Sequence, residues 1–192
     1  MGSIPWGRVL TRLFTAADIH RHGSGNIGAT NVARVAGPVL GLATLGGDFF
    51  KGWLPVALAS HLGLLQTAGA YAVALVLLSV LGHIFPIYTG WRGGGKGVAT
   101  AAGGFFALSP PAVLMALVVF GLVLALTRRV SAGSLAAAAA LPIAVFSSTG
   151  SLEFVAAALI AAVLIFVRHT ENIRRLHAGT EPPFRFGNRS DR

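Results

Sequence analysis

Residues 112–126 read AVLMALVVFGLVLAL, fifteen consecutive positions without a charged or strongly polar side chain. In hydrocarbon, a backbone must satisfy its own N–H and C=O groups, and an α-helix does this within one segment. Other apolar stretches are long enough, or nearly so, to do the same; they cover residues 38–61, 64–83, 131–147 and 152–168. The sequence therefore predicts an all-α bundle of membrane-spanning helices.

Composition supports the same class of protein. The chain has 192 residues, of which 54% are hydrophobic and 11% charged, whereas soluble domains carry about 25% charged residues. We expect one membrane-embedded domain over residues 1–192. The absence of cysteine excludes disulfides and thiolate chemistry. The net charge of +9 can orient the protein in the membrane, attract anionic lipids or bind an anionic substrate. It does not favour nucleic acid, because most basic residues border apolar stretches.

Charge placement predicts how the chain crosses the membrane. A sixth apolar stretch, 98–108, reaches only about 16 Å of a hydrocarbon core of about 30 Å, so it is either a half-span or a short crossing. If every stretch crosses, fourteen of the fifteen Lys and Arg residues fall on one side. Basic loops are typically cytoplasmic. We therefore count 98–108 as a crossing and expect a multi-pass protein whose polar loops face the cytoplasm.

The remaining base lies inside the first full span. Lys51 follows Asp48 by three residues, so the two charges can neutralise each other on one helix face and support the structure. The N-terminus has no room for a span before the first basic segment. It predicts either a cytoplasmic start or a start partway along a helix.

The first polar segment, HGSGNIGATNVAR at 22–34, has the composition of an anion site. Glycines on both sides of Ser24 let backbone N–H groups turn toward a ligand, and a helix starting nearby would add its positive end. If that helix includes Thr30 and Arg34, these residues share one face. The alternative is a mobile loop. The segment's candidate phosphate-binding residues are Ser24, Asn26, Thr30, Asn31 and Arg34.

The second polar segment, GWRGGGKGVAT at 90–100, fits the G-x-x-x-x-G-K core of a nucleotide-binding loop. Gly97 stands where that motif needs a hydroxyl for Mg²⁺, and no buried strand precedes the loop, so ATP hydrolysis is disfavoured. Glycines around one lysine, ahead of an apolar helix, still suit another phosphate. The alternative is a plain inter-helix loop. The candidate phosphate-binding residues are Gly93, Gly94, Gly95, Lys96 and Gly97.

The third polar segment, RHTENIRRLHAGTE at 168–181, follows the last apolar stretch. His169 and Asn172 are three residues apart on the expected extension of the last helix, so they should share a face. A lone interfacial histidine is more often structural than catalytic. Beside Asn172 and two other polar segments, it becomes a candidate for the chemistry.

Absent motifs narrow the function further. No histidine is followed by Asp five positions later, so the signature of acyl-CoA-dependent glycerolipid acyltransferases is missing. The serine-hydrolase and zinc-protease motifs are also missing, as is a carboxylate pair suited to a metal. The remaining Ser, Thr, Asn, Arg, Lys and His side chains bind phosphates without a metal, and we expect neither metal nor cofactor.

Taken together and in order, the three segments strongly resemble the bacterial acyl-phosphate:glycerol-3-phosphate acyltransferase family, of the PlsY type. The resemblance covers nearly the whole chain and implies a multi-pass protein of the bacterial inner membrane. It also implies the seven-helix family architecture, here as six clear or short spans plus a truncated first helix. The implied reaction transfers a fatty acyl group from acyl phosphate to the 1-hydroxyl of sn-glycerol 3-phosphate, giving lysophosphatidic acid and phosphate. This is the first step of phospholipid synthesis.

By motif position, the resemblance assigns the catalytic residues Ser24, Arg34, Lys96, His169 and Asn172. It assigns Glu181 to the third motif, where we expect it to support the site through an arginine. Acyl phosphate is already activated, so neither ATP nor a covalent serine intermediate is required. Whether His169 or a substrate phosphate takes the proton stays open. No oligomeric partner is indicated.

Two departures from the family pattern stand out. An apolar half-helix usually precedes GSIP, here at residues 2–5, so we expect a misplaced start codon or a truncated first helix. The glycine loop is one residue longer than usual, which leaves its register open by one. The competing function is a small anion transporter or membrane binding protein. A transporter should carry polar residues to the outer face, whereas here they gather on one side.

Overall fold

The computed structural model describes residues 1–64 and 69–184, which form nine α-helices and no strand. In chain order the helices are α1 (Trp6–Phe14), α2 (Ala29–Ala36), α3 (Pro38–His61), α4 (Gly69–Ile84), α5 (Val98–Leu108), α6 (Pro110–Thr127), α7 (Val130–Thr149), α8 (Leu152–Arg168) and α9 (Thr170–His177). A single 3₁₀ turn, Ile87–Thr89, follows α4. The predicted all-α fold is confirmed for these residues.

The apolar stretches match the long helices closely. Helices α3, α5 and α8 have the predicted bounds, and α6 and α7 extend the predicted stretches by a few residues. The stretch 64–83 corresponds to α4, with residues 65–68 outside the described part of the chain. Local signals set the boundaries of α6. Ser109 caps its start by accepting from the Ala112 N–H, and Pro110 takes the first helical position.

Three helical segments are long and apolar enough to cross a membrane: 69–89, α6 and α7. Helices α8 and α9 together form a fourth if their bent pair counts as one span. Helix α5 is shorter, and α3 carries the Asp48–Lys51 pair in its middle. The described residues therefore support three to four spans by length and composition, a lower number than the sequence predicts.

Glycines allow α3 and α5 to pack closely. A Cβ on Gly52 would lie 2.0 Å from the Thr100 carbonyl oxygen, and one on Gly103 would lie 2.0 Å from the Phe49 carbonyl oxygen. Neither position has room for a side chain, so the two backbones touch. Helix α5 begins at Val98, two residues after Lys96, so this contact fixes where the glycine loop meets the bundle.

The last helix differs from the prediction. The sequence predicts one continuous helix through Asn172, but α8 ends at Arg168 and α9 leaves at an angle of 63°. His169 caps the junction, and its N–H donates to the Phe166 carbonyl oxygen at 3.0 Å. Beyond this bend, α9 brings Asn172 into contact with Lys96 of the glycine loop.

Candidate active site

The first segment folds around Asn31. This side chain is 3% exposed, and its amide donates to the carbonyl oxygens of Ile19, His22 and Asn26 at 3.4, 3.3 and 2.9 Å. Its Oδ1 accepts the Ser24 N–H at 2.8 Å. All its polar atoms thus hold the loop in shape, a role that sequence alone did not distinguish from phosphate binding.

Helix α2 starts where this loop ends. It includes both Thr30 and Arg34, one turn apart, as the sequence predicts for that helix. The side chains of Ser24, Thr30 and Arg34 are exposed. No described protein group forms a hydrogen bond or ion pair with the Arg34 guanidinium, so it is available to an anion.

In the second segment, two backbone carbonyl groups accept hydrogen bonds from side chains of the other two segments. The Gly94 carbonyl oxygen accepts from Arg168 Nη2 at 3.0 Å and from Asn26 Nδ2 at 3.4 Å, and the Gly95 carbonyl oxygen accepts from Arg168 Nε at 3.2 Å. The Asn26 contact ties the first segment to the second. With its carbonyl groups occupied in this way, the loop has N–H groups left for an anion.

Several of those N–H groups have no hydrogen-bond acceptor among the residues that the structure describes. They belong to Gly94, Lys96 and Gly97. Gly97 has a φ of +85°, which favours glycine, and it caps the start of α5 without a side-chain hydrogen bond. Unpaired N–H groups at a helix start form a site of positive potential.

Lys96 connects the second segment to the third. Its Nζ donates to Asn172 Oδ1 in a short hydrogen bond. Burial lowers the pKa of Lys96 to about 8; Glu181 opposes this, while the charges of Arg175, Arg168 and Arg34 lower it further. At neutral pH the amine is still mostly protonated. The effect of three arginines on one amine indicates a concentrated positive field.

Glu181 organises the third segment. Its carboxylate accepts from Ser131 Oγ at 2.7 Å, Asn172 Nδ2 at 2.6 Å and Arg175 Nε at 2.7 Å. Burial opposes ionisation, but these hydrogen bonds outweigh it and lower the pKa of Glu181. An ionised Glu181 holds the Asn172 amide so that its oxygen faces Lys96.

His169 lies beside this network and is 2% exposed. Its Nδ1 is 2.8 Å from the Ile165 carbonyl oxygen. A carbonyl only accepts, so Nδ1 carries the proton of that bond. In the neutral ring, Nε2 is then the free acceptor, which is the arrangement a general base needs.

The structure thus joins the three predicted segments through specific contacts. Asn26 joins the first to the second, and Lys96 and Asn172 join the second to the third. Two contributors were missed as site residues. By sequence, Arg168 is only one of the basic residues that border an apolar stretch, and Ser131 lies on α7, in no motif. The position of Arg168 directly before His169 was the signal that could have identified it.

Comparisons with known proteins identify the family of this chain. Residues 1–179 match the family model described as glycerol-3-phosphate acyltransferase. The chain is 49% identical over 185 residues to the glycerol-3-phosphate acyltransferase of Syntrophotalea carbinolica, covering 96% of this chain and 93% of that protein. It is 47% identical, with the same coverage, to that of Geobacter sulfurreducens.

Solved structures give the same result. The crystal structure of PlsY, an integral membrane glycerol 3-phosphate acyltransferase in its glycerol 3-phosphate form, matches with a TM-score of 0.87 and 37% identity. The match covers 96% of this chain and 90% of that one. The lysophosphatidic acid form of PlsY matches with a TM-score of 0.84.

Proposed function

Because the chain belongs to the glycerol-3-phosphate acyltransferase family of the PlsY type, we propose that it acylates glycerol 3-phosphate at the 1-hydroxyl with acyl phosphate as donor. The products are lysophosphatidic acid and inorganic phosphate. The solved relatives, in their glycerol 3-phosphate and lysophosphatidic acid forms, support the acceptor and the product. The donor is supported by the residues of the site.

One observation carries the proposal: hydrogen bonds join the three polar segments at the glycine loop that contains Lys96. Two phosphorylated substrates repel each other, so their site needs fixed positive charge and N–H donors. Lys96, Arg34 and the unpaired N–H groups of the glycine loop supply both. Ser24 and Thr30 would add hydroxyl donors at the exposed rim, while Asn31 would shape the loop.

The reaction needs little covalent help from the protein. The 1-hydroxyl oxygen attacks the acyl carbonyl carbon, and the bond from that carbon to the phosphate oxygen breaks. Phosphate leaves with the bonding electrons, and the hydroxyl proton goes to a base. His169 Nε2 and a substrate phosphate oxygen are the two candidate acceptors. Catalysis is then largely the positioning of two reactants.

Asn172 and Lys96 act together in this scheme. Their hydrogen bond fixes the ammonium group, which can then stabilise the phosphate that leaves or the oxyanion that develops. The acyl chain would lie along the apolar helices in the bilayer. We place the site at the cytoplasmic face of the bacterial inner membrane, because the basic loops gather there under the positive-inside rule.

A direct assay tests the proposal. Purified protein in detergent or bilayers receives palmitoyl phosphate and glycerol 3-phosphate, and phosphate release and lysophosphatidate are followed. We expect both products in equal amounts and no activity with palmitoyl-CoA. Activity on palmitoyl-CoA alone would refute the donor, and no acylation of glycerol 3-phosphate by either donor would refute the function.

A further inference from the structure

A second group of ionisable side chains lies inside the bundle, outside the site described above. Asp48 and Lys51 on α3 and His83 on α4 are 2%, 4% and 3% exposed. Lys51 Nζ lies 2.8 Å from Asp48 Oδ1, and His83 Nδ1 lies 3.4 Å from the same oxygen. Asp48 Oδ1 and His83 Nδ1 have no hydrogen-bond partner in the described part of the chain, so Asp48 and Lys51 form an ion pair and the His83 ring lies beside their shared carboxylate oxygen. Lys51 Nζ also donates to the Ile4 carbonyl oxygen at 2.8 Å.

Burying this cluster costs the protein free energy. Charges placed among apolar helices lose their hydration, and well-packed apolar residues in their place often stabilise a fold equally well. Charge neutralisation accounts for Asp48 and Lys51. It does not account for His83, which adds a third titratable group to a pair that is already balanced.

His83 contacts the glycine loop in two ways. Its carbonyl oxygen accepts the Gly95 N–H at 3.1 Å. Its ring occupies the space where Gly95 would carry a side chain, since a Cβ there would lie 1.9 Å from His83 Nε2. The ring therefore lies directly against the backbone of the residue that precedes Lys96. Asp48 contacts the opposite nitrogen of that ring.

We propose that Asp48 and His83 are positioning residues for the glycine loop: Asp48 fixes the His83 ring, and the ring holds Gly95 so that the Lys96 ammonium and the free N–H groups meet substrate phosphate. This rests on the proposed function, because it assigns that loop to phosphate. Burial keeps the Asp48 carboxylate and the His83 ring together, and the other side of the ring contacts the backbone of Gly95 directly. Arg168 holds the other side of the loop through its carbonyl groups.

Affinity for phosphate separates this role from a merely structural one. Asp48→Asn and His83→Ala should weaken glycerol 3-phosphate binding by roughly tenfold or more, because a loop that is no longer held at Gly95 misplaces the Lys96 ammonium and the free N–H groups. Thr44→Val and Ser79→Ala are matched controls, being buried and one turn earlier on the same two helices. The controls should bind within about twofold of wild type even where they lower the melting temperature. Binding is measured by calorimetry with glycerol 3-phosphate, alongside thermal denaturation in the same detergent.

A size exchange tests the ring contact itself. Gly95→Ala alone should lose affinity because its Cβ meets the ring. Gly95→Ala combined with His83→Ala should bind at least several-fold better than Gly95→Ala alone, since the clash is gone. His83→Asn, which keeps a donor near Nδ1, should keep more affinity than His83→Ala.

Two results would overturn the proposal. One is wild-type affinity in Asp48→Asn and His83→Ala with only a lower melting temperature, which would make the cluster purely structural. The other is strictly additive losses in the double variant. Calorimetry does not depend on turnover, so wild-type protein that binds glycerol 3-phosphate without acylating it would refute the proposed function and still test the positioning role. Wild-type protein that does not bind glycerol 3-phosphate would refute both.

Discussion

Replacing Glu181 with Gln exchanges one carboxylate oxygen for an NH₂ group, so one hydrogen-bond acceptor becomes a donor. The carboxylate accepts three hydrogen bonds, from Ser131, Asn172 and Arg175. A Gln amide has a single acceptor oxygen. Either its NH₂ group faces the Arg175 guanidinium, or it faces Ser131 and Asn172. In the second case the Asn172 amide must turn over and present NH₂ to the Lys96 ammonium.

Each arrangement loses about one charge-assisted hydrogen bond, or about 1.5–3 kcal/mol. We expect the free energy of unfolding to fall by a similar amount. If the loss falls on the Lys96–Asn172 contact, kcat/KM falls by roughly 10- to 150-fold. The wild-type contribution is present at neutral pH and is lost as acid protonates Glu181, below its ordinary pKa because that pKa is lowered.

The measurements are steady-state phosphate release and thermal denaturation in detergent. Glu171→Gln, on the preceding helix α9, is the control, because Glu171 is exposed and lies 3.7 Å from an exposed Arg174. Exposed pairs contribute little, so this variant should stay within about twofold of wild type. If Glu181→Gln matched Glu171→Gln in both kcat/KM and melting temperature, Glu181 would not orient Asn172.

Three other changes test the site and the packing. Because burial lowers the pKa of Lys96 to about 8, its charge is lost as pH rises through 8. The KM for glycerol 3-phosphate should therefore rise between about pH 8 and 10. Lys96→Arg should abolish that rise, because arginine keeps its charge over this range. Arg168→Lys cannot hold both loop carbonyl groups with one ammonium, so KM should rise by roughly three- to tenfold, whereas Arg174→Lys on the exposed face of α9 should show no rise. Gly52→Ala should lower the free energy of unfolding by about 1–3 kcal/mol, because its Cβ would lie 2.0 Å from a carbonyl oxygen of α5. Gly46→Ala on the same helix has no atom within 4 Å and should be neutral or slightly stabilising, so equal losses from both would show that the α3–α5 contact is not close.

The apolar helices and the three polar segments could be predicted from the sequence. Long runs such as 112–126 have few structural solutions in hydrocarbon, because the backbone must bond to itself. Thr30 and Arg34 share a helix because their spacing is local. The types of residue around Lys96 indicated phosphate, since glycines and a lysine ahead of a helix favour anions wherever the loop lies.

Only the tertiary structure decided how these parts meet. Lys96 and Asn172 are 76 residues apart, and no local periodicity predicts which donor faces which acceptor. The 63° bend at His169 depends on how α9 packs, so the sequence pattern of a continuous helix was wrong there. By sequence, Arg168 is indistinguishable from the other basic residues of the cytoplasmic side. The structure shows that its guanidinium donates to the carbonyl oxygens of the glycine loop. Composition and period are local properties, whereas the shape of a site depends on distant backbones brought into contact.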